Sequence, residues 1–177
     1  MSSSARTRFS IPLVAALGLA PATAGCDNPN PGTPLGTFSV TSTLSTDTCG
    51  GTAADPDPGS FDVTLSNDKG IVYWFPNTGA SAASGAINAA RTVSIAEVVA
   101  DDVDAVDGSA GACTLQRNDT LTFTLAAGAT PASFTGTYSF TVSPAIGANC
   151  SDQLTSHGGG YSTLPCTITY TLAGAHE

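Results

Sequence analysis

Basic side chains are scarce in this 177-residue chain. Lysine and arginine together number five, against 14 aspartates and glutamates, so the formal net charge is −9. Arg6 and Arg8 precede an apolar run near the start, and only Lys69, Arg91 and Arg117 lie beyond it. Proteins that bind nucleic acid, or that dock on anionic lipid by charge, need basic patches. We therefore predict no nucleic-acid partner.

Histidine is also rare, and no two cysteines have C-x-x-C spacing. His157 and His176 are too few for a histidine-based metal site, and His176, next to last, is expected to fray. Without C-x-x-C spacing, zinc and thioredoxin-type sites lack support. The sequence predicts no cofactor.

Helical periodicity is missing after the first 25 residues, whereas period-two alternation recurs. In GTFSVTSTLS, for example, Phe38, Val40 and Leu44 share one face and hydroxyl residues occupy the other. Turn residues, including Asn88-Ala89-Ala90 and Arg117-Asn118, separate eight or nine such segments. The pattern predicts an all-β domain, an antiparallel meander of eight or nine strands. A lipocalin-like up-and-down barrel is favoured, and a β-sandwich is the alternative.

The first 25 residues have the three-part pattern of a secretory signal. Two arginines are followed by an apolar run at 9–20, too short for a membrane-spanning helix, and then by small residues. Thr23-Ala24-Gly25-Cys26 resembles a bacterial lipobox, although Thr23 stands where Leu is usual. The resemblance implies cleavage before Cys26 and a diacylglyceryl group on its thiol. The alternative is a plain signal cut after Ala22-Thr23-Ala24.

This interpretation divides the chain into three parts. Residues 1–25 form the signal peptide, and residues 26–35 form the lipidated Cys26 with a flexible Pro- and Asn-rich tether. Residues 36–177 form a single β domain, a size that supports its own core.

Five cysteines are an odd number for an exported protein. A lipidated Cys26 leaves Cys49, Cys113, Cys150 and Cys166, enough for two disulfides in an oxidising compartment. Four cysteines allow three pairings. Because Cys150 and Cys166 bracket a long irregular segment, we expect them to pair, which leaves Cys49 with Cys113.

The run IVYWFP contains the single tryptophan of the chain. Alternation places Tyr73 and Phe75 on one face of a strand and Trp74 on the other. Aromatic side chains on a sheet can line an apolar ligand cavity or stack on sugars. Tyr73, Trp74 and Phe75 are therefore candidate ligand-binding residues, and ordinary core packing is the alternative.

The segment ADDVDAVDG clusters Asp101, Asp102, Asp104 and Asp107. Calcium prefers several oxygen ligands from one short loop, so these residues are a candidate calcium site. The EF-hand pattern fails, since Val106 stands where its third acid belongs. A solvated acidic turn is the preferred interpretation.

The segment HGGGY, at 157–161, resembles the oxyanion-hole segment of lipases and esterases. That resemblance implies a partner G-x-S-x-G elbow on an α/β sheet. The nearest segment here, Gly79-Ala80-Ser81-Ala82-Ala83, lacks the final Gly and precedes HGGGY. A loop within the β domain is the preferred interpretation, and no catalytic residue is assigned.

Signal, lipobox, tether and a Thr-rich β domain with four further cysteines together resemble small lipoproteins of Gram-negative bacteria. Segments such as TDTCG, CTLQRNDTL, FTGTYSFTVS and LPCTITYTL are similar in style to blocks of such proteins. The resemblance implies membrane attachment through lipid on Cys26, with the outer membrane favoured. We expect a non-enzymatic envelope protein that binds a ligand or partner. The alternatives are a structural surface protein and a hydrolase.

Overall fold

The computed structural model describes residues 31–50, 53–54, 59–77, 81–103 and 113–177. Eight strands make up almost all of the regular structure in these residues. They are β1 Thr33–Asp47, β2 Gly59–Asp68, β3 Ile71–Pro76, β4 Ala83–Ile87, β5 Thr92–Val103, β6 Cys113–Leu125, β7 Ser133–Pro144 and β8 Cys166–His176. The helical pieces among the described residues are two 3-10 turns, Ser151–Gln153 and Thr155–His157, and neither could span a bilayer.

The strands form a closed antiparallel barrel in which each strand pairs with the next along the chain and β8 returns to β1. This up-and-down order confirms the predicted barrel. The strand count is eight rather than nine, because the predicted turn at Arg117-Asn118 lies inside β6. There, Arg117 pairs with Val99 of β5 and with Val142 of β7, so the ladder runs through it on both sides.

The two ends of the barrel differ in the length of their connections. Short links at Lys69–Gly70, at 88–91 and at 126–132 close what we call the short-loop end. Strands β1, β3, β5 and β7 end at the opposite end, which we call the long-loop end because the three longest intervals between strands in the sequence, 48–58, 104–112 and 145–165, follow β1, β5 and β7. The predicted turn at Asn88-Ala89-Ala90 is confirmed, since it joins the antiparallel strands β4 and β5. The Arg91 N–H donates to the Asn88 carbonyl at 2.9 Å, and Arg91 has a positive φ of 63°.

Aromatic rings form the core in the short-loop half of the barrel. Phe38, Phe123 and Phe134 are almost fully buried, and Phe134 lies 5.3–5.4 Å from the other two ring centres. Gly174 leaves room for Phe134, because a Cβ at position 174 would come within 2.2 Å of that ring. Burying three phenylalanines contributes several kcal/mol to folding.

Both disulfides differ from the predicted pairs. The structure joins Cys49 to Cys166 and Cys113 to Cys150, with Cα separations of 4.8 and 5.2 Å. Cys49–Cys113 and Cys150–Cys166 were the wrong pairs because barrel closure decides the neighbours. Closure places the end of β1 beside the start of β8, so Cys49 and Cys166 face each other across that seam.

The two ends of the chain also differ from expectation. β1 begins at Thr33, inside the tether predicted for 26–35, and Leu35 is already buried. His176 does not fray: it pairs with Phe38 in the β1–β8 ladder, and the two rings meet edge to face at 5.2 Å. The predicted signal peptide, Cys26 and residues 27–30 of the tether lie outside the described residues.

Candidate functional site

The long-loop half of the barrel holds a cavity of about 650 Å³. Side chains or backbone from all eight strands line it, because each strand turns alternate residues inward. The large apolar and aromatic residues of the wall are Phe61, Trp74, Ile95, Leu121, Tyr170 and Leu172.

Trp74 separates the cavity from the aromatic core below it. Its ring centre lies 5.3 Å from that of Phe123 and 5.6 Å from that of Phe134, and only 6 % of the residue is exposed. The predicted alternation is confirmed, since Tyr73 and Phe75 are half-buried and stack on each other at 6.2 Å. Of the three predicted ligand-binding residues, only Trp74 lines the cavity.

The cavity borders a gap between β4 and β5. These strands pair only at Ala86–Ser94 and Ile87–Val93, whereas β5 continues along β6 to Val103. Beyond position 94, no described strand pairs with β5 on its β4 side. Ala83, on one side of the gap, and Ile95, on the other, both line the cavity.

Arg117, Asp119 and Tyr138 form one hydrogen-bonded cluster on β6 and β7. The Arg117 guanidinium donates from Nε and Nη2 to the two carboxylate oxygens of Asp119, at 2.7 and 2.6 Å. The Tyr138 hydroxyl donates to Asp119 Oδ2 at 2.7 Å and accepts from Arg117 Nη2. The guanidinium carbon also lies 4.4 Å from the centre of the Phe140 ring, a cation–π contact. Both oxygens of Asp119 are thus occupied by a bidentate pair.

Burial raises the pKa of the Tyr138 phenol well above its ordinary value. The hydrogen bond to Asp119 raises that pKa further, and the Arg117 charge opposes the shift. The hydrogen bond to Asp119 also raises the pKa of Arg117. At neutral pH, the cluster therefore holds one positive and one negative charge and is neutral as a unit.

Glu97 lies directly opposite Asp119 in the β5–β6 ladder, and both residues line the cavity. Its side-chain carboxylate forms no hydrogen bond or ion pair with any described residue. Since Asp119 is already neutralised by Arg117, Glu97 leaves the described wall of the cavity with a net negative charge.

The acidic segment is built differently from the predicted turn. Asp101 and Asp102 belong to β5, because the ladder with β6 extends to Cys113. Asp102 accepts a hydrogen bond from the Thr114 hydroxyl at 2.6 Å. Asp104 and Asp107 lie outside the described residues. No group of three or more histidine, cysteine or acidic residues in the described part of the chain could hold a metal ion.

The HGGGY segment lies in the connection between β7 and β8. His157 is exposed, in the second 3-10 turn, and does not line the cavity. Gly159 packs against the backbone of Gln153, where a Cβ would come within 2.0 Å of the carbonyl. This glycine therefore serves the packing of its own loop.

Sequence reasoning missed Glu97, Asp119 and Tyr138 as cavity residues. A signal was present, because Glu97 shares the parity of Val93 and Ile95, which turn inward. Glu97 is exposed, so a carboxylate at this inward-facing position indicates that this part of the barrel interior is open to solvent. Asp119 shares the parity of the inward-facing Leu121 in the same way.

Comparisons with known proteins add no relative to this description: no family model, curated protein or solved structure matches the chain.

Proposed function

We propose that this protein is an exported, lipid-anchored binding protein that holds a small, largely apolar molecule in its barrel. The cavity is the observation that carries the proposal. Its volume of about 650 Å³ falls within the usual range of small-molecule sites, about 300–1,000 Å³. Aromatic and aliphatic side chains dominate its wall, with few polar groups among them.

The way the barrel is filled supports the same proposal. In the short-loop half, the rings of Phe38, Phe123 and Phe134 pack at about 5 Å centre to centre. In the long-loop half, small residues such as Ser42 and Ala83 face inward where larger ones could fill the space. The apolar wall of this cavity is open to solvent, and burying such surface against a bound apolar molecule is favourable.

Attachment to the cell envelope is the second part of the proposal. It is supported by the signal-like leader and by the lipobox resemblance at Cys26. The pairing of the other four cysteines also supports it, because Cys26 is the one left outside a disulfide. We favour the outer membrane, with the lipid on Cys26 as the contact to that membrane.

Trp74 provides the test, because it is the single tryptophan and it lines the cavity. The neutral apolar probe N-phenyl-1-naphthylamine is expected to quench Trp74 fluorescence saturably, with one site per chain. Ser42 faces the cavity, so Ser42→Phe fills part of it and should weaken binding at least tenfold. Thr43 is exposed on the outer face, so Thr43→Phe is the matched control and should leave affinity unchanged.

Absence of saturable quenching in the wild-type chain would contradict the proposal. Equal affinity in Ser42→Phe and Thr43→Phe, with both variants folded by circular dichroism, would place the probe elsewhere on the surface and would also overturn it.

A further inference from the structure

The cavity has few charged groups, and their positive and negative charges do not cancel. Two carboxylates, Glu97 and Asp119, line it. Arg117 binds both oxygens of Asp119 and lies against the Phe140 ring, so its positive charge is already paired with the charge of Asp119. The Glu97 carboxylate remains without a partner among the described residues.

The other basic residues of the described chain lie far from the cavity along the barrel. Lys69 is in the β2–β3 turn and Arg91 is at the start of β5, so both are at the short-loop end. An anionic ligand in the cavity would therefore meet Glu97 with no free lysine or arginine among the described residues to compensate. The net charge of −9 on the whole chain adds to that repulsion.

Aromatic rings share the cavity with Glu97. Phe61, Trp74, Tyr138 and Tyr170 all line it. The face of an aromatic ring carries negative potential, so rings attract an organic ammonium group and are indifferent or unfavourable to an anion. A carboxylate and several rings around one apolar space together favour a cation that also has apolar surface.

We infer that the ligand class of this cavity is an organic cation, an apolar ring or chain that carries a protonated amine. The ammonium group lies beside Glu97, and the apolar part lies against Trp74 and its neighbours. This inference rests on the proposed function, since it names what the same cavity binds.

Three naphthalene probes of nearly equal shape test the inference. They are 1-naphthylmethylamine, which is cationic at pH about 7, 1-naphthalenemethanol, which is neutral, and 1-naphthoate, which is anionic. Isothermal titration calorimetry at one fixed ionic strength gives the three affinities. We expect the amine to bind about three- to tenfold more tightly than the alcohol, and the naphthoate to bind most weakly.

Glu97→Gln should bring the affinities of the amine and the alcohol to within about twofold of each other. Asp62→Asn is the matched control, because Asp62 is exposed on β2, is not a cavity residue, and its loss removes the same charge from the chain. It should keep the preference for the amine. Both variants leave the Arg117 cluster intact.

The outcomes separate the inference from the proposed function. Binding of none of the three probes would overturn both. Equal or tighter binding of the alcohol in the wild-type chain would overturn the inference alone and leave an apolar site. A preference for the amine that survives Glu97→Gln, or that Asp62→Asn also abolishes, would assign it to the general field of the chain and would overturn the inference.

Discussion

Tyr138 is the residue whose pKa is affected by burial, hydrogen bonding and a neighbouring charge together. It donates to Asp119 and accepts from Arg117, and burial raises its pKa above the ordinary value for tyrosine. The folded protein therefore holds this proton more tightly than the unfolded chain does. The resulting stabilisation is complete below the unfolded pKa of about 10 and is lost as pH rises through the folded pKa.

Tyr138→Phe makes this pH dependence measurable. In the native state, the tyrosinate absorbance of the variant should match that of the wild type up to pH about 11, because Tyr138 is still protonated there. In strong denaturant, the two titrations should differ by one tyrosine over the same range. A native titration that already differs by about half a group at pH about 10 would show that Tyr138 ionises normally and would contradict the prediction.

Single strands were predictable as elements, because alternation is a local property of the sequence. Trp74 lies on one face of β3 and its neighbours Tyr73 and Phe75 lie on the other, and this follows from two-residue periodicity alone. The predicted turn at Arg117-Asn118 was wrong for a non-local reason. Both β5 and β7 continue past these two residues and pair with them. Turn residues inside a strand that has two partners are held in the ladder by those partners.

Each disulfide joins elements that are separated along the chain, and the separations predict unequal contributions. Cys49–Cys166 spans 117 residues and fastens β1 to β8, whereas Cys113–Cys150 spans 37. In the chain-entropy model, closing these loops contributes about 5 and about 4 kcal/mol respectively. The Cys49→Ala/Cys166→Ala double variant should therefore lose about 1 kcal/mol more in the free energy of unfolding than Cys113→Ala/Cys150→Ala.

Urea unfolding of the two double variants, each with its other disulfide intact, measures this difference. Each variant removes two cysteines and one disulfide, so each serves as the control for the other. A larger loss in Cys113→Ala/Cys150→Ala would contradict the prediction. It would show that attachment of the loop at 145–165 outweighs closure of the barrel.

At the scale of the whole molecule, the sequence indicated a meander but not the space inside it. Neighbouring strands along the chain pair in order, and pairing of β8 with β1 removes the two outer edges that an open meander would leave. The cavity depends on the inward residues of eight strands at once, such as Ser42 on β1 and Tyr170 on β8. No local pattern relates those two residues, and the same lack of local information made the disulfide pairing wrong.

The attachment of the whole chain to a membrane is tested by Cys26→Ser. In a Gram-negative host, the full chain should fractionate with membranes, and its intact mass should begin at Cys26, carry a diacylglyceryl group and lack four hydrogens for two disulfides. Cys26→Ser removes the thiol that carries the lipid, so this variant should move to the soluble fraction. Asn28→Ser, two residues later, should stay with the membranes. A wild-type chain that begins at Gly25 without lipid would instead establish the plain signal cut and would overturn the anchor.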